Sequence, residues 1–168
     1  MEKLNETYSV VLPTFNEAGH IKKLISEITN IFENETIEYE ILVVDDNSTD
    51  GTIDELKKIS NNHKKVKPLI RYNKKGNLVD SLNEGIQNSK YENIIWLDAD
   101  FSHPPQYIEN FIKVKKENNE IDVLVFSRFL NESRRYFEIE KTKPIFIDLL
   151  SVFLNKICKF VLFKNFTD

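Results

Sequence analysis

Apolar runs alternate with amphipathic segments along most of the chain. Uninterrupted apolar runs bounded by turn residues are typical of strands that are buried on both faces, as in a parallel sheet. The pattern predicts five strands, at Tyr8–Pro13, Tyr39–Val44, Val66–Tyr72, Ile94–Leu97 and Val123–Ser127. Pro68 makes the third of these the weakest, because proline cannot donate a ladder hydrogen bond. Trp96 lies within the fourth and is expected in the core.

Between the strands, apolar residues recur every three or four positions, which predicts amphipathic helices. These helices are expected at Ala18–Glu33, through Leu56 and Ile59, at Asn77–Asn88 and at Gln106–Asn118. Asn16 or Thr14 is suited to cap the first helix. Strands that alternate with helices favour right-handed crossovers and hence an α/β fold with a mostly parallel sheet. At 168 residues the chain is expected to form a single domain.

Two carboxylates follow the fourth predicted strand directly. Burying Asp98 and Asp100 without partners would cost several kcal/mol, so we expect them at the open end of that strand. Neighbouring carboxylates repel each other unless one is protonated or a metal ion lies between them. A hard divalent ion, Mg2+ or Mn2+, that also holds a phosphate fits this pair. Alternatively, both aspartates are turn formers before Pro104.

Three of the predicted strands end in polar or acidic clusters, at residues 13–17, 45–50 and 98–103. In open α/β sheets, ligands bind beyond the carboxyl ends of the strands, where these clusters would converge. This convergence favours a binding site over scattered turn residues. The chain has only four glycines, and neither glycine-rich phosphate-binding motif occurs in it. An ion held by aspartates is therefore the remaining way to bind a diphosphate.

Composition narrows the class further. The chain is 40% hydrophobic and 30% charged, as is typical of a soluble globular protein. Its net charge of −4 does not predict nucleic acid as a partner. The single cysteine, Cys158, excludes an internal disulfide framework and a zinc site built from cysteines. The polar stretch Met1–Thr7 lacks the apolar core of a signal peptide, which predicts a cytoplasmic location.

Three segments carry a resemblance to a known family: Val11–Glu17, Val43–Thr52 and Asp98–Pro105. In this order and spacing they resemble family 2 glycosyltransferases, and within that family they are most similar to dolichol- or polyprenol-phosphate mannose synthases. The match covers a core at roughly residues 8–128. It implies a Rossmann-like GT-A fold, a nucleotide-sugar donor, a divalent metal ion and a lipid-phosphate acceptor. It also implies that the C-terminal part of the family's domain is missing from this chain.

The resemblance assigns the nucleotide pocket residue by residue. It predicts contacts to the donor from Pro13, Phe15, Glu17, Val44, Asp46, Asp98, Ala99 and Asp100. Phe15 stands where the family usually has tyrosine. Val44 and Asp46 would meet the nucleobase, and Asp46 would accept a hydrogen bond from its edge. The donor is expected to be of the GDP-mannose or UDP-glucose type.

The resemblance also assigns the metal ligands and the catalytic residues. Asp98 and Asp100 form the family's Asp-x-Asp element, and Asp100 is the best candidate to bind Mg2+ or Mn2+. Ser102 takes the position of a second ligand that is often glutamine in the family, and water would complete the sphere around this weaker donor. His103 is either a further ligand or a turn residue. Arg128 would touch the phosphates of the donor or of the acceptor.

The implied reaction is a direct displacement at the anomeric carbon with inversion. The lipid phosphate attacks while the metal ion neutralises the departing diphosphate, so no strong general base is required. Asp98, Asp100 and Arg128 would carry this catalysis. The acceptor places the protein at the cytoplasmic face of a membrane. Two alternatives stay open: a non-catalytic nucleotide-sugar-binding fragment, and a family 2 enzyme that acts on a polysaccharide or a protein-linked glycan.

The sequence departs from the family's pattern in three places. The usual Gly-Leu-Gly falls on Asn77–Val79 without its glycines, and the chain ends at Asp168 where relatives continue. The family's arginine pair is blurred, with its candidates at Arg134, Arg135, Lys141 and Lys143. The very apolar segment Pro144–Lys164 contains polar residues that argue against a membrane-spanning helix. It is expected to form an amphipathic helix at the membrane surface or one that packs against other parts of the domain.

Overall fold

The computed structural model describes residues 6–72, 76–118 and 120–126. The chain divides into two compact units, residues 1–119 and 120–168. All the helices and strands of the described residues lie in the first unit. They are β1 (Thr7–Thr14), α1 (Ile21–Asn34), β2 (Glu38–Asp45), α2 (Thr52–Asn62), β3 (Val66–Ile70), α3 (Leu78–Gln87), β4 (Asn93–Trp96) and α4 (Tyr107–Glu117). This alternation confirms the predicted α/β fold.

The strands form one parallel sheet in the order β3-β2-β1-β4. β1 is central and pairs along its full length with β2, from Thr7 opposite Glu38 to Thr14 opposite Asp45. On its other side, β1 pairs with the shorter β4. The chain therefore changes direction across the sheet between β1 and β4. In open α/β sheets this switch point opens a crevice at the carboxyl ends of the two strands.

Apolar side chains cover both faces of the sheet. The larger cluster packs the helices α1, α2 and α4 against one face, through residues such as Leu24, Leu56 and Ile108. A smaller cluster on the other face is built around Val11, Leu42, Val44 and Leu82. Helices on both faces of a parallel sheet bury its strands, which explains the continuous apolar runs of β1 and β2.

The fourth strand is exposed at its carboxyl end, so the prediction that it is fully buried was wrong. Ile95 and Leu97 are buried, but the side chain of Trp96 is 48% exposed. Successive side chains of a strand point to opposite faces. Ile94, two residues earlier on the same face as Trp96, packs against the smaller apolar cluster, so only the carboxyl end of β4 is open on this face.

The predicted fifth strand is not present in its described part. Residues 123–126 adopt no strand, and the side chains of Val123 and Val125 are 79% and 70% exposed. A strand is stable only beside hydrogen-bonded neighbours, which an apolar run does not supply by itself. Ser127 and Arg128 lie outside the described residues.

The first helix begins at Ile21 rather than Ala18, and neither predicted residue caps it. The N-cap is His20, which makes no side-chain capping hydrogen bond. Asn16 Oδ1 instead accepts a hydrogen bond from the backbone N–H of Thr49, at 2.9 Å. Thr14 Oγ1 donates to the carbonyl of Leu12, at 3.0 Å. Asn16 therefore stabilises the loop after β1, and Thr14 bonds within that strand, so neither contributes to the helix.

Gly85 lets α3 approach the sheet closely. A Cβ atom at Gly85 would lie 2.3 Å from Val11 Cγ1 and 3.1 Å from Val44 Cγ2. We expect Gly85→Ala to lower the free energy of unfolding by about 1 to 3 kcal/mol, because the helix or the valines must shift. Urea unfolding would measure this. Gly19→Ala is the control, since a Cβ at Gly19 meets nothing within 4 Å. Equal losses in both variants would contradict this reading of the packing.

A buried carboxylate makes stability depend on pH. Glu40 is 2% exposed, and its carboxylate accepts hydrogen bonds from Ser9 Oγ, the N–H of Lys90 and Lys67 Nζ. Burial raises the pKa of Glu40, but the hydrogen bonds from Lys67, Lys90 and Ser9 outweigh it and hold the pKa below its ordinary 4.5. The stabilisation is therefore present above pH 4.5 and is lost as the pH falls through the folded-state pKa.

Glu40→Gln should reveal this dependence. We expect the variant to be less stable than the wild type near neutral pH, and the difference to shrink in acid as the wild-type carboxylate becomes protonated. Urea unfolding at a series of pH values would measure the difference. Glu92→Gln, at an exposed position, should change stability by less than about 0.5 kcal/mol throughout. A difference for Glu40→Gln that does not vary with pH would contradict the assignment.

Candidate functional site

The loops after β1, β2 and β4 meet at one edge of the sheet, as predicted. Because the strands are parallel, all of their carboxyl ends lie at this edge. The backbone N–H of Asp46 donates to the carbonyl of Thr14, at 2.9 Å, directly beyond the paired strands. On the other side of β1, the N–H of Leu97 donates to the carbonyl of Val11, at 3.4 Å. The three acidic or polar segments thus surround the switch point.

Ser48 joins the loops after β1 and β2. Its Oγ accepts a hydrogen bond from the N–H of Asn16, at 2.7 Å, and donates to Asp45 Oδ2, at 2.6 Å. The N–H of Ser48 donates to the other oxygen of the same carboxylate, at 2.8 Å. Asp45 is fully buried. Its role is therefore to close the turn, which leaves the neighbouring Asp46 as the acidic side chain directed at the site.

Thr52 and Asp50 make a second link between the same loops. The N–H of Glu17 donates to Thr52 Oγ1, at 2.9 Å, and that hydroxyl donates to Asp50 Oδ1, at 2.6 Å. The N–H of Ala18 donates to Asp50 Oδ2, at 3.1 Å. The hydrogen bond from Thr52, with those from backbone N–H groups, lowers the pKa of Asp50 and keeps it an acceptor. The backbone of the loop that carries Phe15 is fixed on both sides.

Phe15 and Glu17 differ in how far they reach into solvent. The ring of Phe15 is 59% exposed, although the backbone around it is held by the two links described above. Glu17 is 21% exposed, and its Oε2 lies 2.9 Å from His20 Nδ1. An exposed aromatic ring on a fixed loop can stack on a planar ligand without a large ordering cost.

Asp46 lies in a buried network that the sequence did not predict. Its Oδ1 accepts a hydrogen bond from Arg71 Nη1, and its Oδ2 accepts one from the N–H of Asn77, at 2.9 Å. The side chains of Asp46 and Arg71 are only 9% and 3% exposed. A carboxylate oxygen can accept two hydrogen bonds. Each oxygen of Asp46 can therefore accept one more donor, such as an N–H group of a nucleobase.

Arg71 connects this carboxylate to α3. Its Nη1 also donates to Ser81 Oγ, at 2.6 Å, and its Nε donates to Glu84 Oε2, at 3.2 Å. One sequence signal was available: Arg71 lies near the end of a predicted strand and is the first arginine of the chain. Arginine is almost never fully buried without partners, but its partners are not visible in sequence.

The loop after β4 brings Asp98 beside His103, and Asp100 beside Ser102. His103 Nδ1 lies 3.4 Å from Asp98 Oδ2 and 3.5 Å from the backbone nitrogen of Asp98. With a proton on Nδ1 the ring would donate to the carboxylate, and without one Nδ1 would accept from the N–H. Asp100 accepts from the N–H of Ser102 through Oδ1 and from Ser102 Oγ through Oδ2, both at 2.8 Å.

Asp100 and Ser102 fit the coordination sphere of a small divalent ion. Asp100 Oδ2 and Ser102 Oγ are joined by a hydrogen bond of 2.8 Å, and this separation also allows them to be adjacent ligands of an octahedral Mg2+ ion, which lie about 2.9 Å apart. Within the described part of the chain, no group of three or more His, Cys, Asp or Glu residues could hold a metal ion. The remaining ligands would then come from phosphate and water, as is usual for Mg2+.

Three of the predicted pocket residues have buried side chains. Pro13, Val44 and Ala99 are buried, and Val44 is part of the smaller apolar cluster. The residues are buried as a whole, so they would lie beneath a ligand and offer it little surface. Other predictions concern residues that the structure does not describe, namely Arg128, Arg134, Arg135, Lys141, Lys143 and Pro144–Lys164. Among the described helices, none is long and apolar enough to cross a membrane.

The fold is that of GT-A glycosyltransferases. The model of the family described as glycosyl transferase family 2 matches residues 9–167, and the chain belongs to this family. The predicted family and fold are thus confirmed.

Similar proteins agree with this assignment. The dolichol-phosphate mannosyltransferase of Pyrococcus furiosus is 34% identical over 122 residues, which are 73% of this chain and 33% of that protein. The protein of the same name from Saccharomyces cerevisiae is 30% identical over 102 residues, 60% of this chain and 38% of that protein. The chain therefore matches 33% and 38% of the lengths of these two relatives.

Two solved structures share the fold. The mannosyltransferase PcManGT from Pyrobaculum calidifontis, in complex with GDP-Man and Mn2+, matches with a TM-score of 0.51 and 25% identity, over 64% of this chain and 32% of that one. S. aureus TarS 1-349 matches with a TM-score of 0.58 and 21% identity, over 73% of this chain and 39% of that one.

Proposed function

We propose that this chain forms the donor-binding part of a metal-dependent, inverting glycosyltransferase. The donor would be GDP-mannose and the acceptor a dolichyl or polyprenyl phosphate, at the cytoplasmic face of a membrane. The names of the relatives and the GDP-Man and Mn2+ of the PcManGT complex support this choice. The observation that carries the proposal is the convergence of Phe15, Asp46 and the Asp100–Ser102 pair at the switch point of the sheet.

The nucleobase would bind at the ends of β1 and β2. The exposed ring of Phe15 would stack on the base, while Asp46 would accept hydrogen bonds from its edge. Arg71 and the N–H of Asn77 hold the Asp46 carboxylate in one orientation, so little ordering is needed when the base arrives. Pro13 and Val44 would contribute the floor of this pocket.

The diphosphate would bind at the end of β4. Asp100 and Ser102, with Asp98 beside them, would hold Mg2+ or Mn2+, which when bound neutralises charge on the departing diphosphate. Ala99 would lie beneath the diphosphate, and Glu17 would line the opposite side. An acceptor phosphate is already anionic, so the protein must mainly orient it. We assign that task to Arg128.

Titration calorimetry with and without Mn2+ would test the donor site. We expect GDP-mannose to bind in the presence of Mn2+ and to bind more weakly without it, and UDP-glucose to bind less tightly than GDP-mannose. No metal-dependent binding of either nucleotide sugar would contradict the proposal. Tighter binding of UDP-glucose would still support a glycosyltransferase, but with a UDP-sugar as its donor.

Transfer of radiolabelled mannose to a polyprenyl phosphate would test the acceptor. We expect a lipid-linked product whose formation requires Mn2+ or Mg2+. Donor binding without transfer would favour the non-catalytic alternative. Transfer to a polysaccharide or a protein-linked glycan, but not to the lipid, would favour a different acceptor class within the same family.

A further inference from the structure

The loop that carries the proposed metal ligands contains a backbone conformation that is unusual for its residue. Phe101, between Asp100 and Ser102, has a φ of 62°. A positive φ is uncommon outside glycine and asparagine, and for a bulky side chain it indicates strain. Such strain persists only where the surrounding structure stabilises it, and it concentrates at functional sites.

The positive φ allows the turn that pairs the two oxygens. The N–H of Ser102 reaches back to Asp100 Oδ1, at 2.8 Å, across Phe101. The same turn brings Ser102 Oγ to 2.8 Å from Asp100 Oδ2. If Phe101 returned to a negative φ, the chain would leave this turn and the two oxygens would separate. The spacing that fits a divalent ion therefore depends on the conformation of Phe101.

The side chain of Phe101 is anchored to the rest of the first unit. It packs against the larger apolar cluster. Its ring meets the ring of His20 edge-on, with centroids 6.2 Å apart and planes at 81°. Lys23 Nζ lies 5.2 Å from the centroid of the Phe101 ring, within reach of a cation–π contact. Both contacts come from the beginning of α1.

The contacts of Phe101 also connect its loop to the loop after β1, on the opposite side of the site. His20, which touches Phe101, lies 2.9 Å from Glu17 through its Nδ1. Glu17 in turn belongs to the loop that is tied to β2 through Thr52. A chain of contacts thus runs from the loop with the nucleobase residues, through His20 and Phe101, to the loop with the metal ligands.

We infer that Phe101 is a positioning residue, which holds Asp100 and Ser102 at the spacing of two adjacent metal ligands and ties their loop to the nucleotide loop through His20. This inference rests on the proposed function, because it concerns the same site. Phe101 need not touch the donor to act in this way. Its loss should therefore weaken the metal-dependent part of donor binding and spare the part that comes from the base.

Phe101→Gly separates the contacts of the Phe101 side chain from the backbone strain at this position. Glycine adopts the positive φ without cost but has no side chain to hold the loop. We expect the affinity for GDP in the presence of Mn2+ to fall by about tenfold or more, as for other residues that orient metal ligands. The affinity for GMP without metal should be unchanged. Calorimetry would measure both, and the electron paramagnetic resonance signal of free Mn2+ would report metal binding in the presence of GDP.

Thr36→Gly is the matched control. Thr36 also has a positive φ, of 55°, but it lies between α1 and β2 at the other end of the sheet. Its substitution by glycine should leave both affinities as in the wild type. Phe101→Asn is a second test, because asparagine tolerates this conformation and also lacks the anchor. It should reproduce the loss seen with Phe101→Gly even if the glycine variant folds poorly.

The outcomes separate this inference from the proposed function. Mn2+-dependent binding of GDP by the wild type, with no loss in either Phe101 variant, would overturn the positioning role alone. An equal loss of GMP and GDP affinity would show a general structural role and would also overturn it. If the wild type itself bound GDP without any dependence on Mn2+, the proposed donor site would fail and the inference with it.

Discussion

Asp100→Asn is expected to abolish metal-dependent donor binding and to leave the fold intact. Asparagine has the same shape as aspartate but no charge, and a hard divalent ion prefers carboxylate oxygens. Asp100 is exposed, so its substitution removes no core packing. If the proposed transferase is active, we expect its kcat to fall by about a hundredfold or more, as is typical when a group that stabilises developing charge is removed.

Two further variants define the specificity of that result. Ser102→Ala removes a neutral, weaker ligand and should weaken Mn2+-dependent binding less than Asp100→Asn does. Asp54→Asn removes an exposed carboxylate from the first turn of α2 and should behave as the wild type. Calorimetry with GDP-mannose and Mn2+ would rank the three variants. If Asp100→Asn bound the donor with the full dependence on Mn2+, the metal ion could not be bound by this loop.

The sequence predicted those parts of the fold that depend on local patterns. The helical periodicity of α1 and the apolar runs of β1 and β2 are visible in short windows, and the observed elements lie close to their predicted bounds. The carboxyl ends of parallel strands must share one edge, so the positions of Asp46 and Asp100 directly after two such strands are enough to predict that both lie on the same side of the sheet.

Properties that depend on distant neighbours were not predictable in this way. Trp96 was expected in the core, but its burial depends on which other parts of the chain cover the carboxyl end of β4, and the run Ile94–Leu97 contains no such information. Asn16 was expected to cap α1, but its amide is used by Thr49, which lies 33 residues further along the chain. Val123–Phe126 has the composition of a strand, but these described residues do not form one.

Arg71 is the clearest case of a site residue that sequence reasoning missed. Its partner Asp46 is 25 residues away, and Glu84 lies 13 residues further on in α3. No local spacing connects these positions. The resemblance assigned Asp46 to the nucleobase but did not show that its carboxylate is buried and needs a cation. That requirement follows from the exposed fraction of the two side chains and from the charge they carry.

Arg71→Met should be the most destabilising of the variants considered. Methionine fills similar space but leaves the Asp46 carboxylate buried, with one of its hydrogen bonds and its counter-charge removed. Removing one partner of a buried ion pair costs about 3 to 5 kcal/mol, because the other charge stays uncompensated. Urea unfolding at neutral pH would measure this loss. A loss of stability no larger than that caused by an ordinary surface substitution would contradict the buried ion pair.

A double variant separates the charge from the packing. Asp46→Asn removes the charge and keeps the shape, so Arg71→Met combined with Asp46→Asn should recover part of the stability that Arg71→Met alone loses. Glu84 and Ser81 also contact Arg71, so recovery should be incomplete. If the losses of stability in Arg71→Met and Asp46→Asn simply added in the double variant, the interaction between the two side chains would contribute nothing to stability.

Donor binding should not recover with stability in that double variant. Asparagine at position 46 would present one amide NH2 group and only one acceptor oxygen, whereas the aspartate accepts through both of its oxygens. Asp46→Asn alone should therefore bind GMP more weakly than the wild type, although its Arg71 keeps its hydrogen bonds to Ser81, Glu84 and the carbonyl of Asn77. The free energy of unfolding would then depend on the charge balance around Arg71, whereas the affinity for GMP would depend on the Asp46 carboxylate. If the double variant regained both stability and affinity for GMP, the nucleobase would not bind at Asp46.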